Sequence, residues 1–407
     1  MKNEKLNIKI RPLGFLDLLA FKKLIPTREK MIACAPATPV DAIPPVNILA
    51  GRLHPETQYL EVSEVTQDTP SARTIRLITD KASATKELAM FRPGQYLSFS
   101  FEIEDASVTR PYSISSSPAE ALKGFYEVTI KKNEGGFVTN YIWENWKLGT
   151  KVICSGPQGH FYYDALRDSR KIVGIAGGCG ITPFRSMAKS VLDGSLDVEL
   201  TIFYGSNIIN DVIYQKELKH FEEASNGRIK VINVLAGEDA GDCERGFITA
   251  ELIKKYVDPA ECSFFICGPQ AMYDFVGKEL GTLDIRSKFI RWELFGEIKN
   301  VSSTNGFPQN MAGRSFNMTV HMGSTVNVIP ALSGESLLVA MERAKLSPPS
   351  ICRSGVCGYC RSLLVKGDVF IPESGDGRRQ ADKQFGYIHP CSSFPVSDLE
   401  IIVPRKR

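Results

Sequence analysis

Three cysteines lie within nine positions in the segment CRSGVCGYCR, residues 352–361, and a fourth follows in HPCSSFP. Thiols this close together could form disulfides, hold a zinc ion or bind an iron–sulfur cluster. Ten cysteines in 407 residues are too few for a disulfide scaffold. A zinc site expects two C-x2-C pairs or a Cys/His mixture, whereas this segment has one pair plus outliers. The spacing C-x4-C-x2-C…C, formed by Cys352, Cys357, Cys360 and Cys391, instead predicts a 2Fe–2S cluster.

The residues around these cysteines suit that chemistry. Gly355 and Gly358 let a loop fold closely around an inorganic core, where backbone N–H groups can bond to sulfide. ESLLVAMERAKL (335–346) has apolar residues at helical spacing, and SLLVKGDVFI (362–371) predicts a strand and a turn. From Asn317 to Val403 the segment resembles plant-type ferredoxin domains, down to the ending CSSFPVSDLEI. The resemblance implies an α+β, β-grasp module over residues 317–407.

A second chemical signal lies upstream, in RPYSISSSP (110–118), which follows the strand-like alternation GQYLSFSFEI (94–103). Next comes EVTIKKNEGGFVTNYIWENW (127–146), which predicts a strand, a glycine turn and the start of a helix. A helix N-terminus with free N–H groups is a ready anion site. Thr139 can cap that helix or bond a phosphate directly.

A third signal is KIVGIAGGCGITPFRSMAKSVL (171–192), a buried apolar strand, a glycine turn and a helix with Pro183 in its first turn. DVELTIFYGS (197–206) and CSFFICGPQAM (262–272) are also strand-like. Strands that alternate with helices predict a parallel, doubly wound sheet that binds ligands at its strand ends.

In this order, the segments from Thr57 to Lys299 resemble the ferredoxin–NADP reductase superfamily. The resemblance implies an antiparallel six-stranded β-barrel that binds flavin, followed by an α/β doubly wound nucleotide domain. We therefore expect an N-terminal extension (1–50), an FAD-binding barrel (57–165), an NAD(P)-binding domain (170–298), a linker (299–316) and the 2Fe–2S module (317–407). The linker is polar and without periodicity, so we expect a tether that lets the last module swing.

The resemblance also implies roles for particular residues. Arg110 would pair with the flavin phosphate, Tyr112 would pack on the isoalloxazine, and Ser113 would hydrogen-bond its reactive ring nitrogen. The turn GGFVT (135–139) matches the family's pyrophosphate loop and favours FAD over the FMN of phthalate dioxygenase reductase-type relatives. Cys267 would lie near the hydride-bearing carbon. The implied cofactor-binding residues are Arg110, Pro111, Tyr112, Ser113, Gly135, Gly136, Val138, Thr139, Gly177, Gly178, Gly180, Thr182, Asp211, Cys267, Gly268, Pro269 and Phe295, and the candidate catalytic residues among them are Tyr112, Ser113 and Cys267.

Plainer interpretations stay open for several of these positions. Cys267 at a strand end could be a buried small hydrophobe, and Cys179 could either contact cofactor or only pack. Glu297 could be a proton relay or a solvated charge. A 2′-phosphate calls for Arg, Lys or Tyr after the second strand of the nucleotide domain, whereas NADH prefers a carboxylate. Asp211 therefore favours NADH, while Ser206 and Tyr214 keep NADPH as an alternative.

The composition limits the partners and the compartment. With 43% hydrophobic and 23% charged residues and a net charge of +3, the chain has no signature of a nucleic-acid-binding protein. Charges interrupt the apolar stretch GFLDLLAFKKLI (14–25), so we expect no export signal and a cytoplasmic protein. Residues 1–30 hold eight Lys or Arg. They are expected to pack on the reductase module, with a membrane-surface or partner-docking helix as the alternative.

Together these signals predict an enzyme that takes electrons from NADH through FAD to a 2Fe–2S cluster. The cluster would pass them to a one-electron acceptor: an oxygenase component, a hybrid-cluster protein or another metalloprotein. Two alternatives stay open, namely a non-catalytic wiring or sensor subunit of a larger complex and an NADPH-dependent ferredoxin-type reductase. Release of free reduced flavin is disfavoured by the elaborate phosphate loop.

Overall fold

A computed structural model describes residues 15–35, 43–294 and 296–404, with side chains from residue 22 onward. The chain divides into two compact units, Met1–Ala50 and Gly51–Arg407. The N-terminal segment forms α1 (Phe15–Ala33) and α2 (Pro45–Leu53). The described side chains of both helices are exposed, including Leu24, Ile25 and Ile48. No helix in the described ranges is long and apolar enough to span a membrane.

Residues 58–154 form a six-stranded antiparallel sheet that closes into the expected barrel, in the order β4-β3-β6-β1-β2-β5. A bridge between Ile114 and Val128 joins the two outer strands. In β2 the sequence ARTIRLIT turns Ile75 and Leu77 into the core, where both are almost fully buried. The elements are β1 (Gln58–Thr69), β2 (Ala72–Thr79), β3 (Tyr96–Ile103), β4 (Ala106–Ser113), α3 (Pro118–Leu122), β5 (Phe125–Lys131), α4 (Phe137–Asn145) and β6 (Lys151–Cys154).

Residues 171–293 form the expected parallel sheet, in the order β10-β9-β8-β7-β11-β12. The chain moves outward on one side of β7 and then returns to add β11 on the other side. The carboxyl ends of these two neighbouring strands form the switch point at which doubly wound sheets bind ligands. The elements are β7 (Lys171–Gly177), α5 (Thr182–Leu192), β8 (Glu199–Ser206), α6 (Gln215–Ala224), β9 (Ile229–Leu235), β10 (Glu244–Arg245), α7 (Ala250–Tyr256), β11 (Cys262–Cys267), α8 (Gln270–Gly281) and β12 (Ile290–Glu293).

The C-terminal module is a five-stranded mixed sheet, in the order β14-β13-β19-β15-β17, beside a two-stranded sheet of β16 and β18. The helix predicted over 335–346 is shorter than expected. Ser336 caps its N-terminus, and Lys345 and Ser347 take left-handed backbone conformations that a helix cannot continue through. The elements are β13 (Ser315–Met322), β14 (Thr325–Leu332), α9 (Leu337–Arg343), β15 (Ser362–Lys366), β16 (Val369–Phe370), α10 (Gln380–Gln384), β17 (Tyr387–Ile388), β18 (Phe394–Pro395) and β19 (Leu399–Val403).

The segment expected to be a swinging tether is packed instead. Val301 is fully buried and Phe307 nearly so, in an apolar cluster with Phe394 of the C-terminal module. Phe370 lies against the same cluster, with its ring centroid 5.3 Å from that of Phe307. The two hydrophobic side chains in an otherwise polar stretch therefore hold the linker on the module that it precedes.

A buried network of charges joins the barrel to the nucleotide domain. Arg185 of α5 donates to Glu127 of β5 at 2.7 Å and to Glu217 of α6 at 2.6 Å. Lys189, one turn further along α5, lies 2.9 Å from Glu120 of the barrel module. The helix that starts at the nucleotide-binding turn is thus fixed to the flavin barrel along its length.

Candidate functional site

The four cysteines predicted as ligands come together in one loop region. The sulfur atoms of Cys360 and Cys391 are 3.4 Å apart, and the N–H of Ser354 points to the sulfur of Cys352 at 3.5 Å. The N–H of Gly355 points to the sulfur of Cys391 at 3.2 Å, and the N–H of Cys357 points to that of Cys352 at 3.4 Å. Backbone donors aimed at sulfur stabilise the negative charge of thiolate ligands. The residues present therefore fit a 2Fe–2S cluster.

Contacts among these thiols shift their pKa values in opposite directions. Hydrogen bonds from Cys357 and Cys391 hold the pKa of the Cys352 thiol well below its ordinary value. The hydrogen bond to Cys352 in turn raises the pKa of both partners. Cys357 is the exposed member of the set, whereas Cys352, Cys360 and Cys391 are buried.

The strand β4 carries the predicted flavin residues. Ser113 is 4% exposed, and its Oγ atom has no hydrogen-bond partner within the described residues. Arg110 donates to the carbonyl of Thr109 at 2.7 Å and makes no ion pair in the described part of the chain. Burial and the nearby Arg353 lower the pKa of the Arg110 guanidinium. A buried hydroxyl and a desolvated cation, both without a polar side-chain partner, fit a bound flavin with its phosphate.

The glycine turn before α4 leaves a helix N-terminus open. Gly136 is the N-cap, without a side-chain capping bond, and Gly135 has a φ of 68°. Thr139 does not cap the helix, since its hydroxyl accepts the N–H of Asn133 at 3.3 Å and donates to the carbonyl of Gly136 at 3.4 Å. Val138 is buried in the barrel core, so its side chain serves packing. The uncapped N–H groups of this turn remain available to an anion.

The turn after β7 brings two strand ends into contact. A Cβ on Gly180 would stand 2.0 Å from the carbonyl oxygen of Cys267, so the close approach of β7 and β11 requires glycine there. A Cβ on Gly177 would likewise meet Pro269 at 2.8 Å. The Thr182 hydroxyl donates to the carbonyl of Cys179 at 3.0 Å, inside the turn.

Cys179, in the turn after β7, and Cys267, at the end of β11, have different surroundings. The Cys179 thiol donates to the carbonyl of Thr129 on β5 at 3.2 Å, and burial raises its pKa to about 11. Cys267 is fully buried in the core of the nucleotide domain, and its side chain does not line the cleft described next. The role near the hydride-bearing carbon therefore stays a prediction for Cys267.

Strand β4, the turn before α4 and the turn after β7 open on one cleft of about 1370 Å³, which exceeds the ~300–1,000 Å³ of a typical small-ligand pocket. Its walls include Tyr112 and Ser113 of the barrel and the Gly177–Gly180 turn. The linker, through Asn300, and the C-terminal module, through Phe370, form a further wall that sequence reasoning did not anticipate. Phe295, one of the implied cofactor-binding residues, lies outside the described residues.

Asp211 and Tyr214, the residues predicted to decide between NADH and NADPH, lie in different surroundings in the structure. Asp211 ends a short turn after β8, is partly exposed and does not line the cleft. Tyr214 is buried, with its hydroxyl on Thr129 and its ring 4.5 Å from the Arg185 guanidinium carbon. Tyr214 is therefore held in the contact between the domains and is not free to bind a 2′-phosphate.

The segment just before Cys352 docks on the barrel strands that carry the flavin residues. Ser98 of β3 donates to the carbonyl of Ile351 at 3.0 Å, and the hydroxyls of Thr109 and Ser350 are 2.6 Å apart. Thr109 is the neighbour of Arg110 on β4. Strand β4 therefore contacts the segment before the cysteine loop and also carries the predicted flavin residues.

Sequence reasoning missed the partner of Glu297. This residue lines the cleft and forms an ion pair with Arg353, which directly follows Cys352. An arginine inside a ligand loop is the only signal that the sequence offers for this contact.

Comparison with known proteins assigns each module. The oxidoreductase FAD-binding domain matches residues 60–163, the oxidoreductase NAD-binding domain matches 175–278, and the 2Fe–2S iron–sulfur cluster binding domain matches 322–396. The glycine betaine monooxygenase reductase subunit of Chromohalobacter salexigens is 26% identical over 352 residues, which cover 83% of this chain and 93% of that protein. NADH oxidoreductase HCR of Escherichia coli is 26% identical over 342 residues, covering 84% and 96%.

A solved structure shows the same arrangement of modules. Phthalate dioxygenase reductase superposes with a TM-score of 0.61 at 21% sequence identity, over 86% of this chain and 98% of that one. Fold, cysteine loop and family matches together define an NAD(P)H-dependent iron–sulfur flavoprotein oxidoreductase, with FAD and a 2Fe–2S cluster. The succession of FAD-binding, NAD-binding and C-terminal 2Fe–2S domains is the one that the resemblance to the ferredoxin–NADP reductase superfamily implies.

Proposed function

We propose that this chain is the reductase component of a multicomponent system and delivers electrons singly to a separate oxygenase component. The observation that carries the proposal is the exposure of Cys357 beside three buried ligands, which brings one edge of the cluster site to the surface. The similarity to a glycine betaine monooxygenase reductase subunit supports it. A hybrid-cluster protein is a second candidate acceptor, because NADH oxidoreductase HCR is similar over the same share of the chain.

The chemistry divides among three bound groups. A bound flavin would supply the exchange between a two-electron hydride and single electrons, and a bound 2Fe–2S cluster would supply a one-electron carrier. In our proposal Arg110 binds the flavin phosphate, Tyr112 packs on the ring and Ser113 bonds the ring nitrogen that receives the hydride. The orphan hydroxyl of Ser113 and the unpaired charge of Arg110 among the described residues support these roles.

In the same proposal, the remaining predicted residues would bind the FAD pyrophosphate or the nicotinamide nucleotide. Gly135, Gly136 and the backbone at Thr139 would hold the FAD pyrophosphate, which the uncapped start of α4 supports. The turn Gly177–Gly180, with Thr182 at the start of α5, would hold the nicotinamide nucleotide together with Gly268 and Pro269. Asp211 would bind the adenosine ribose, and the burial of Tyr214 weakens the case for NADPH.

The boundaries that we assign to the modules are 57–165, 170–298 and 317–407, which the three sheets and the three family matches support. The protein would act in the cytoplasm, where thiols stay reduced, and its described cysteines are all free.

The partner would dock over the exposed ligand Cys357. Val356 and Tyr359 beside it are 55% and 44% exposed, and Arg361 and Lys383 lie on the neighbouring surface elements. The C-terminal module from 317 to 407 holds eleven Lys or Arg against eight Asp or Glu. Arg361 and Lys383 are themselves paired with aspartates, so it is the net positive charge of the module that favours an acidic patch on the acceptor. Reduction of the acceptor should then slow as ionic strength rises.

The test is reconstitution with the oxygenase component or hybrid-cluster protein encoded nearby, under anaerobic conditions. The full chain with NADH should reduce that acceptor, and Cys391→Ser should abolish this while NADH still reduces ferricyanide through the flavin. Equal reduction of the protein acceptor by the cluster-free variant would exclude the cluster as the exit. Failure of the intact chain to oxidise NADH with dyes would instead favour a non-catalytic wiring subunit.

A further inference from the structure

The cysteine loop contains a buried cation that is bound from two sides. Arg353 is 1% exposed and adopts a left-handed backbone conformation with φ of 59°. Its guanidinium donates to Glu342 of α9 at 2.7 Å, inside the C-terminal module. It also forms an ion pair with Glu297, which belongs to the end of the reductase portion. The arginine next to the first cluster ligand therefore joins two modules.

We infer that Glu297 is a positioning residue for electron transfer, which holds the cysteine loop docked against the flavin barrel through Arg353. The inference rests on the proposed electron route from flavin to cluster. Glu297 lines the cleft on one side and reaches the loop on the other. The rate of electron transfer falls steeply with distance between the two centres, so a group that fixes this distance controls the rate without touching the reacting atoms.

The other contacts between the loop and the barrel are too weak to replace this pair. Ser98 and Thr109 contribute neutral hydrogen bonds, whose net contribution is modest. Lys345 and Asp105 form an ion pair at 3.3 Å between the C-terminal module and the flavin barrel, but both side chains are more than half exposed. Exposed pairs of this kind contribute little because water and salt screen them. In the Glu297–Arg353 pair, by contrast, the arginine is fully buried and the glutamate side chain is only 18% exposed.

The decisive measurement is anaerobic rapid mixing of the full chain with NADH, which follows flavin reduction and cluster reduction as separate absorbance phases. Glu297→Gln should slow the flavin-to-cluster phase by about tenfold, which corresponds to ~1.4 kcal/mol lost from docking, because Arg353 keeps Glu342 but loses its charged partner on the reductase portion. Asp105→Asn is the control: it removes the exposed ion pair between the C-terminal module and the barrel, tolerates the left-handed backbone there, and should leave that phase unchanged. Glu297→Asp, which keeps the charge, should recover part of the rate.

Each other outcome would overturn the inference. An unchanged rate in Glu297→Gln would do so, and so would equal slowing in Asp105→Asn, which would indicate general electrostatic attraction. A shift of the cluster midpoint potential large enough to explain the slowing would show that Glu297 tunes the cluster instead of positioning it. The unmodified chain gives a check that does not depend on the folding of any variant. Because Arg353 is fully buried and Glu297 only 18% exposed, salt screens their attraction weakly, so the flavin-to-cluster rate should change little with ionic strength. A strong decline of this rate would count against the inference. If NADH reduced no cluster even in the unmodified chain, the electron route itself would fail.

Discussion

Replacing Gly355 by alanine should destroy the cluster site, for reasons that the loop geometry makes quantitative. Gly355 has a φ of 82°, a left-handed conformation that costs an L-residue roughly 1–2 kcal/mol. An added Cβ would stand 2.0 Å from the carbonyl oxygen of Gly375 and 2.6 Å from the Ser392 hydroxyl. Relieving such an overlap costs about 1–3 kcal/mol more. The strain and the overlap together should destabilise the loop by roughly 2–5 kcal/mol. They do so at Gly355, whose N–H donates to the Cys391 sulfur at 3.2 Å.

Gly358→Ala provides the comparison, since Gly358 has a φ of 71° but an added Cβ would meet only the His389 ring, at 3.3 Å. Both variants carry the backbone strain, and only Gly355→Ala carries the severe overlap. We expect Gly355→Ala to lose most of its iron and its visible iron–sulfur absorbance while still reducing ferricyanide with NADH. Gly358→Ala should keep its iron and lose about 1–2 kcal/mol of stability in chemical denaturation. Equal iron content in the two variants would refute the reasoning.

Three further predictions concern the flavin, the nucleotide and the contact between their domains. Ser113→Ala should keep flavin but slow the reduction of the flavin by NADH up to about tenfold, because one hydrogen bond contributes roughly 0.5–1.5 kcal/mol. Unchanged rates of flavin reduction in stopped-flow measurements would show that Ser113 does not bond the flavin. Asp211→Ala should narrow the ratio of kcat/KM for NADH over NADPH, and a wild-type preference for NADPH would contradict the assignment. Glu127→Gln should cost about 1.5–3 kcal/mol of stability, because it removes one of the two carboxylate partners of the buried Arg185, which keeps Glu217. Burial raises the pKa of Glu127, but Arg185 and Lys189 outweigh this and hold it below its usual range. The wild-type advantage should thus be complete above the ordinary value of about 4.3 and fade in more acidic buffer, and a difference that persisted in acid would argue against the ion pair.

The parts of the fold that the sequence predicted are those in which the chemistry is local. Cluster ligands must follow one another at fixed spacing, so Cys352, Cys357 and Cys360 can be read from a ten-residue segment. A strand, a glycine turn and a helix start are also contiguous, which is why the turns at Gly136 and Gly180 were predicted in their correct elements. The alternation of strands and helices then predicted the parallel sheet.

The parts that the sequence did not predict depend on residues far apart in the chain. Nothing near Tyr214 indicates that its ring will stack on Arg185 between two domains. The linker resembles a free tether because its few apolar residues are scattered, yet Val301 and Phe307 have a ready apolar surface on the C-terminal module. Glu297 could not be distinguished from a solvated charge, because its partner Arg353 lies more than fifty positions away. In each of these three cases, contacts between residues far apart in the chain determine where the side chain lies.

The contacts between modules differ in kind, and the difference matches the division of labour. The flavin barrel and the nucleotide domain share the buried charges of Arg185 and Lys189, which fix α5 relative to the barrel. Hydride transfer needs that rigidity, because the reacting atoms must be held about 3–3.5 Å apart in the right orientation. The C-terminal module meets the barrel through neutral hydrogen bonds and the exposed Lys345–Asp105 pair, and it meets the end of the reductase portion through the pair of Glu297 with the buried Arg353. Single-electron transfer tolerates a longer gap, so a lighter contact is sufficient there. It also leaves the face around Cys357 uncovered, where a partner protein can reach the cluster site.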